Sequence, residues 1–172
     1  MMADLKKLAQ YLVYSYENKS NSQFQNSELK LQKLMYLSQK MSLALTNETL
    51  FDNLFEGWAY GPVLPELRYF FEEDYQPFDV ENNQDLSVKD MYIIDNVIAE
   101  FGKYEAWALA EITHQDSCWI KSRKGLSAQQ YGRTEISIED MKNDAMNVRF
   151  YDHEYDMYID EFDDFHGEVL SL

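Results

Sequence analysis

The stretch from Ser27 to Leu45 constrains this chain more than any other. It sets Leu29, Leu31, Leu34, Met35, Leu37, Ser38, Met41 and Leu45 around most of a helical circumference. A helix that is apolar nearly all round must be surrounded by other elements, so the spacing predicts a central helix rather than a surface one. Ser27 suits its N-cap, because a serine oxygen accepts from the free N–H groups of a first turn, and Thr46-Asn47-Glu48 ends it.

The remaining periodicity is also helical. Met2, Leu5, Leu8, Leu12 and Tyr16 predict a first helix over about Ala3 to Tyr16, followed by a polar loop from Asn18 to Asn26. Val88, Met91, Ile94, Val97, Ile98 and Phe101 predict a helix capped by Ser87 and stopped by Gly102. Tyr104 to Ile112 continues as another helix, ending near Thr113-His114. Cys118, Trp119 and Ile120 form a short one, and Ser137 opens a last one holding Ile138, Met141 and Met146. Thr134 to Ile136 reads as extended. The expected fold is mainly α, a compact single-domain helical bundle, with a short extended or hairpin-like corner around residues 51–63.

That corner lies in the segment FDNLFEGWAYGPVLPEL. Phe51, Leu54, Phe55 and Trp58 show no helical period, and Gly61-Pro62 is a turn signal. Gly61 and Leu64 precede prolines and are pushed out of the α region. Pro65 suits the first position of a helix running to about Phe71. Trp58 would pin the chain reversal to the core. Trp107 and Trp119 read as core residues as well, since large rings on apolar faces bury well.

With 45% apolar and 15% aromatic residues, the chain can form a core of its own. Its formal net charge of −16 disfavours direct binding of nucleic acid or of anionic membranes, which need clustered Lys and Arg. The lone cysteine, Cys118, permits no internal disulfide and fits a reducing, cytoplasmic setting. No leader-like or membrane-length apolar run is evident. Residues 1–149 read as the helical domain and 150–172 as a separate acidic-aromatic segment. That segment has eight Asp/Glu, six Phe/Tyr and no Lys or Arg. Three states are open to it: a solvating tail, a docked segment that completes the core, or a partner-binding arm using Tyr151, Tyr155, Tyr158 and Phe162 as anchors.

Catalytic patterns are scarce. There is no glycine-rich phosphate loop, no His-Glu-x-x-His and no Cys-x-x-Cys. Cys118 and His114 are four apart, which a continuous helix would place on one face, but a break near Gln115-Asp116 separates them. A small buried thiol beside Trp119 is the expected role of Cys118. His114, His153 and His166 have acidic neighbours, but for His153-Glu154 and His166 in the acidic tail this fits adventitious divalent-cation binding rather than a dedicated metal site. No catalytic residue, cofactor or metal ligand is expected.

Three segments together resemble a known family: KLQKLMYLSQKMSLALTNETLF (30–51), FEGWAYGPVLPELRYFF (55–71) and LAEITHQDSCWIKSR (109–123). Leu31, Gln32, Lys33, Leu34 and Tyr36 match its first pattern. Phe55, Trp58, Tyr60, Gly61, Pro62, Val63, Pro65 and Leu67 match its second, and Leu109, Thr113, His114 and Trp119 its third. The family is the Panacea domain, with its SocA-like antitoxins and GepA-like phage-associated proteins, and the likeness spans roughly residues 5–145. The resemblance implies a mainly helical, non-enzymatic module that neutralises a partner toxin by direct contact, in one branch as an adaptor delivering it to a Clp-type protease. The candidate contact residues on the domain are Trp58, Tyr60, Pro62 and His114. The net charge favours a basic partner. The alternative is a phage or mobile-element inhibitor of a basic host nucleic-acid-binding protein, with the acidic segment mimicking phosphates. An enzyme built on His114 and Cys118 is a third reading.

Overall fold

The computed structural model describes residues 4–73, 75–82 and 85–161. Among them are six α-helices: α1 (Leu5–Ser20), α2 (Glu28–Thr46), α3 (Val88–Phe101), α4 (Ala106–Thr113), α5 (Ser117–Ser122) and α6 (Ile138–Ala145). Two small antiparallel hairpins join them, β1 (Glu56–Trp58) with β2 (Gly61–Val63), and β3 (Tyr151–Asp152) with β4 (Met157–Tyr158). The fold is mainly α, as the spacing predicts. No helix among the described residues is long and apolar enough to cross a membrane.

Helix α2 is the central element. It packs against α1, α3, α4 and α6, and every residue from Leu31 to Gln39 is buried. The predicted caps are real: Ser27, Ser87 and Ser137 each accept a hydrogen bond from the backbone N–H three residues on, at 3.2, 3.0 and 3.1 Å.

Burying a whole helix also buries its polar side chains, and these need partners. Gln39 donates to Phe51 O at 2.9 Å and accepts from Leu50 N at 2.6 Å. Gln32, two turns earlier, donates to Leu64 O at 3.0 Å and accepts from Leu64 N at 2.7 Å. Each amide therefore stands in for a neighbouring strand. Together they let the irregular backbone between Leu50 and Leu64 lie inside the protein without orphaned groups.

Several local expectations change. Helix α1 runs a turn beyond Tyr16, to Ser20, where Asn21 at φ 54° ends it; its last turn is polar and faces water, so apolar spacing could not reveal it. The helix expected from Pro65 to Phe71 is a single 3-10 turn, Pro65–Leu67. Glu28 takes the next residues out of register: its carboxylate binds the Arg68 guanidinium and accepts from Tyr69 N at 2.7 Å, and Tyr69 adopts φ 63°. Trp107 is not a core residue but 69% exposed, because α4 has only one covered face, formed by Leu109, Ala110 and Thr113.

The first part of the acidic-aromatic segment is docked. Helix α3 presents Tyr92, Asn96 and Glu100, each one turn apart, to the β3–β4 hairpin. Tyr92 donates to Asp152 at 2.9 Å, Asn96 Oδ1 accepts from His153 N at 2.9 Å, and Tyr158 donates to Glu100 at 3.0 Å. Phe162 and His166 lie outside the described residues.

Candidate functional site

The three motif-bearing segments meet at the β1–β2 corner. From α2, Lys33 Nζ donates to Pro62 O at 2.7 Å. From α5, Trp119 Nε1 donates to Trp58 O at 2.9 Å, and Arg123, just past its end, donates to Gly57 O at 3.2 Å. Thr134 to Ile136 runs alongside β1, with Gly57 N on Thr134 O and Ile136 N on Phe55 O, both at 2.8 Å. Both edges of this small hairpin are thus occupied, one by backbone and the other by Gln32 and Lys33.

The corner requires its glycines. Gly61 has φ +113°, and a Cβ there would lie 2.8 Å from both Lys33 Cε and Thr113 Oγ1. At Gly57 a Cβ would sit 1.8 Å from Ser122 Oγ, so β1 and α5 approach more closely than any side chain permits.

Lys33 is fully buried and, among the described residues, faces no carboxylate at hydrogen-bonding distance. Burial lowers its pKa from the ordinary 10.5 to about 7, against a weaker upward pull from Glu28. His114 stacks on Trp119, with ring centroids 4.1 Å apart and planes at 14°. Burial, and then the Lys33 charge, lower its pKa, and its buried Nε2 has no hydrogen-bond partner among the described residues.

Cys118 is turned elsewhere. Its sulfur lies 3.0 Å from Tyr36 Oη, and its N–H donates to Asp144 at 2.7 Å. Burial pushes the thiol up to about 12, the opposite of what a nucleophile requires. Asp116, Cys118 and Asp144 are close enough to share an ion, but their oxygens already have donors. Asp116 receives the Lys40 ammonium at 2.9 Å on both oxygens and Tyr36 Oη at 2.6 Å. Asp144 receives Ser117 and Cys118, closing the N-terminus of α5.

The outer surface of the corner opens into a cleft of about 620 Å3. Trp58, Tyr60, Tyr69 and Tyr131 line it, together with Glu28, Arg68 and Glu72. Tyr60, Tyr69 and Tyr131 are 65%, 51% and 73% exposed. Of the sequence-derived candidates, Trp58 and Tyr60 come together here. Pro62 is buried with its carbonyl spent on Lys33, and His114 stacks on Trp119 and does not line the cleft. Tyr151 and Tyr158 pack edge to face against each other, with centroids 5.2 Å apart, and Tyr155 is exposed at the hairpin tip. Periodicity missed Tyr69, hidden in an expected helix, and Tyr131, hidden in a polar stretch; the Glu28–Arg68 pair spans 40 positions and leaves no local signal.

Comparison with curated proteins found no match, and comparison with solved structures found none. A family model described as "Antitoxin SocA-like, Panacea domain" matches residues 31–120, more than half of the chain. Those residues include the Gln32 and Lys33 anchors, the hairpin corner and Trp119, while Glu28 and Tyr131 of the cleft lie outside them: this chain belongs to the SocA-like antitoxin, Panacea-domain family.

Proposed function

We propose that this protein is an antitoxin that neutralises a partner toxin by direct, non-covalent contact through the cleft beside the β1–β2 corner. The observation that carries this reading is the pairing of a rigid support with exposed rings. Tyr60, Tyr69 and Tyr131 face solvent around the cleft. The backbone flanking Tyr60 is held by Gln32, Lys33, Trp119 and Arg123, Tyr69 N by Glu28, and Gln130 O, next to Tyr131, by Arg123. Rigid, exposed aromatics at a concave site are typical anchors of protein interfaces. The raised thiol of Cys118 supports a role without covalent chemistry. Within the acidic-aromatic segment, Asp152 and Tyr158 bind α3, and Asp160 pairs with Arg149 at 2.7 Å. Those internal bonds favour recognition at the cleft over phosphate mimicry by the tail.

The test is rescue from growth arrest on co-expression with a candidate toxin, followed by binding of the purified pair. Tyr60→Ala and Tyr131→Ala are expected to abolish protection while leaving Tm unchanged, because both side chains are largely in water. Full protection by the double variant would move the contact elsewhere. Delivery to a Clp-type protease is a further proposed step; it predicts that the toxin's half-life lengthens in a Clp-deficient host, and an unchanged half-life leaves neutralisation by contact alone.

A further inference from the structure

We propose that the cleft recognises a basic side chain of the partner, an arginine in preference to a lysine, seated between the rings of Tyr60 and Tyr131 and the carboxylate of Glu72. The inference rests on the contact reading above and adds the chemistry of what is contacted.

Some charged and aromatic groups of the cleft already engage one another. The Arg68 guanidinium lies over two rings, 5.4 Å from the Trp58 centroid and 4.8 Å from that of Tyr69. Arg133 lies 5.9 Å from Trp58. Each arginine is held by a carboxylate, Arg68 by Glu28 and Arg133 by Glu56 at 3.0 Å. Trp58, Tyr69, two arginines and two glutamates thus form an internally neutral stack. Tyr69 is fixed in it with a left-handed backbone, the sort of local strain that tends to mark a preorganised site.

Tyr60 and Glu72 remain on the same cleft, and Tyr131, whose hydroxyl already interacts with the Arg133 side chain, keeps its ring face uncovered. No cation lies over the ring of Tyr60 or Tyr131, and no aromatic ring packs on either, among the described residues. The Glu72 carboxylate has no hydrogen bond or ion pair among the described residues. Two open aromatic faces and an uncompensated carboxylate form a receptor for a cation: the rings attract it through their quadrupoles, and the carboxylate accepts its N–H groups. A planar guanidinium meets both requirements better than an ammonium. An acidic group would meet Glu72 and a chain of net charge −16. A purely apolar plug would cover Glu72 and leave it unpaired, which is costly.

The test uses the full chain labelled with 3-fluorotyrosine, with the signals of residues 60 and 131 assigned through Tyr60→Phe and Tyr131→Phe. The probes are the peptide acetyl-Ala-Ala-Arg-Ala-Ala-amide and its citrulline counterpart, which keeps the shape and removes the charge. The arginine peptide is expected to move both signals saturably and to bind about tenfold more tightly than the citrulline peptide. Glu72→Gln, at an exposed position without a partner, is expected to weaken the arginine peptide about threefold or more. Equal binding of the two peptides overturns the proposal. So does movement spread over the 13 tyrosines and insensitive to Glu72→Gln, which is diffuse attraction to a polyanion. The two readings fail separately. If the peptide does not bind but Tyr60→Ala and Tyr131→Ala still abolish protection, contact stands and cation recognition falls. If the peptide binds and protection is untouched, the cation site stands and the contact reading falls.

Discussion

Lys33 Nζ donates a 2.7 Å hydrogen bond to the carbonyl oxygen of Pro62, tying a fully buried lysine of the central helix to the hairpin corner. The corner needs a donor at that point, because the β2 edge there has no strand to pair with. A long side chain reaching out of α2 supplies it, at the cost of placing an amine in the core.

This arrangement gives stability a pH dependence. In the folded protein Lys33 titrates near 7, against 10.5 ordinarily, so between about pH 7 and 10 the unfolded chain holds the proton that the folded chain has released. Stability owed to Lys33 therefore rises with pH across that window and levels off below it, where both states are charged. Urea unfolding of the parent and of Lys33→Met at pH 7, 8 and 9 is expected to show the parent gaining relative to the variant, by at most about 1.4 kcal/mol per pH unit for one proton. Losing the Pro62 bond offsets the variant without changing the slope. Parallel curves would mean that Lys33 stays charged in the core.

Gly61→Ala is expected to cost about 2 kcal/mol or more in urea unfolding, since φ +113° strains any side chain and the new methyl meets Lys33 and Thr113. Gly125→Ala separates the two causes. Gly125 also has positive φ, +84°, but a Cβ there would meet nothing within 4 Å. Its loss reports backbone strain alone, about 1 kcal/mol. Equal losses at the two sites would show that Lys33 and Thr113 give way without cost.

Cys118 is expected to resist a thiol reagent in the native protein. With the thiol pushed up to about 12, roughly one molecule in ten thousand is thiolate at pH 8, and the sulfur is buried. Full reaction is expected in urea. Fast stoichiometric labelling of the native protein at pH 8 would contradict this account and reopen the nucleophile reading.

The hairpin on α3 is expected to loosen in Asn96→Ala. Asn96 is 2% exposed and satisfies the N–H of His153, so its loss leaves that N–H without its acceptor, at about 1–3 kcal/mol. Chymotrypsin cleavage at Tyr155 is expected to accelerate in the variant. An unchanged rate would mean that Tyr92 and Glu100 hold the hairpin without Asn96.

The helical part of this protein was legible because helix formation and burial are read out by neighbours in sequence. The width of the apolar face over residues 27–45 marked α2 as central. Serines at 27, 87 and 137 marked helix starts, because a cap bonds only three residues away. Glycine and proline marked the corner through their own dihedral limits. The family patterns were visible too, but their purpose was not. Gln32 and Lys33 are polar positions off the apolar face of their helix, and its periodicity says nothing of the partners that bury them.

The tertiary structure decided everything that depends on partners distant in the chain. Gln32 becomes a surrogate strand only because Leu64 lies against it, and Tyr69 leaves its expected helix only because Glu28, 41 residues earlier, takes its N–H. Trp107 reaches the surface because α4 is covered on one side. The cleft combines Glu28, then Trp58 with Tyr69, then Tyr131, from three separate stretches of chain. Local sequence sets which conformations each segment prefers at a cost of a kcal/mol or so per residue. Long-range hydrogen bonds to otherwise orphaned backbone are worth as much or more, so where the two compete the tertiary contact prevails.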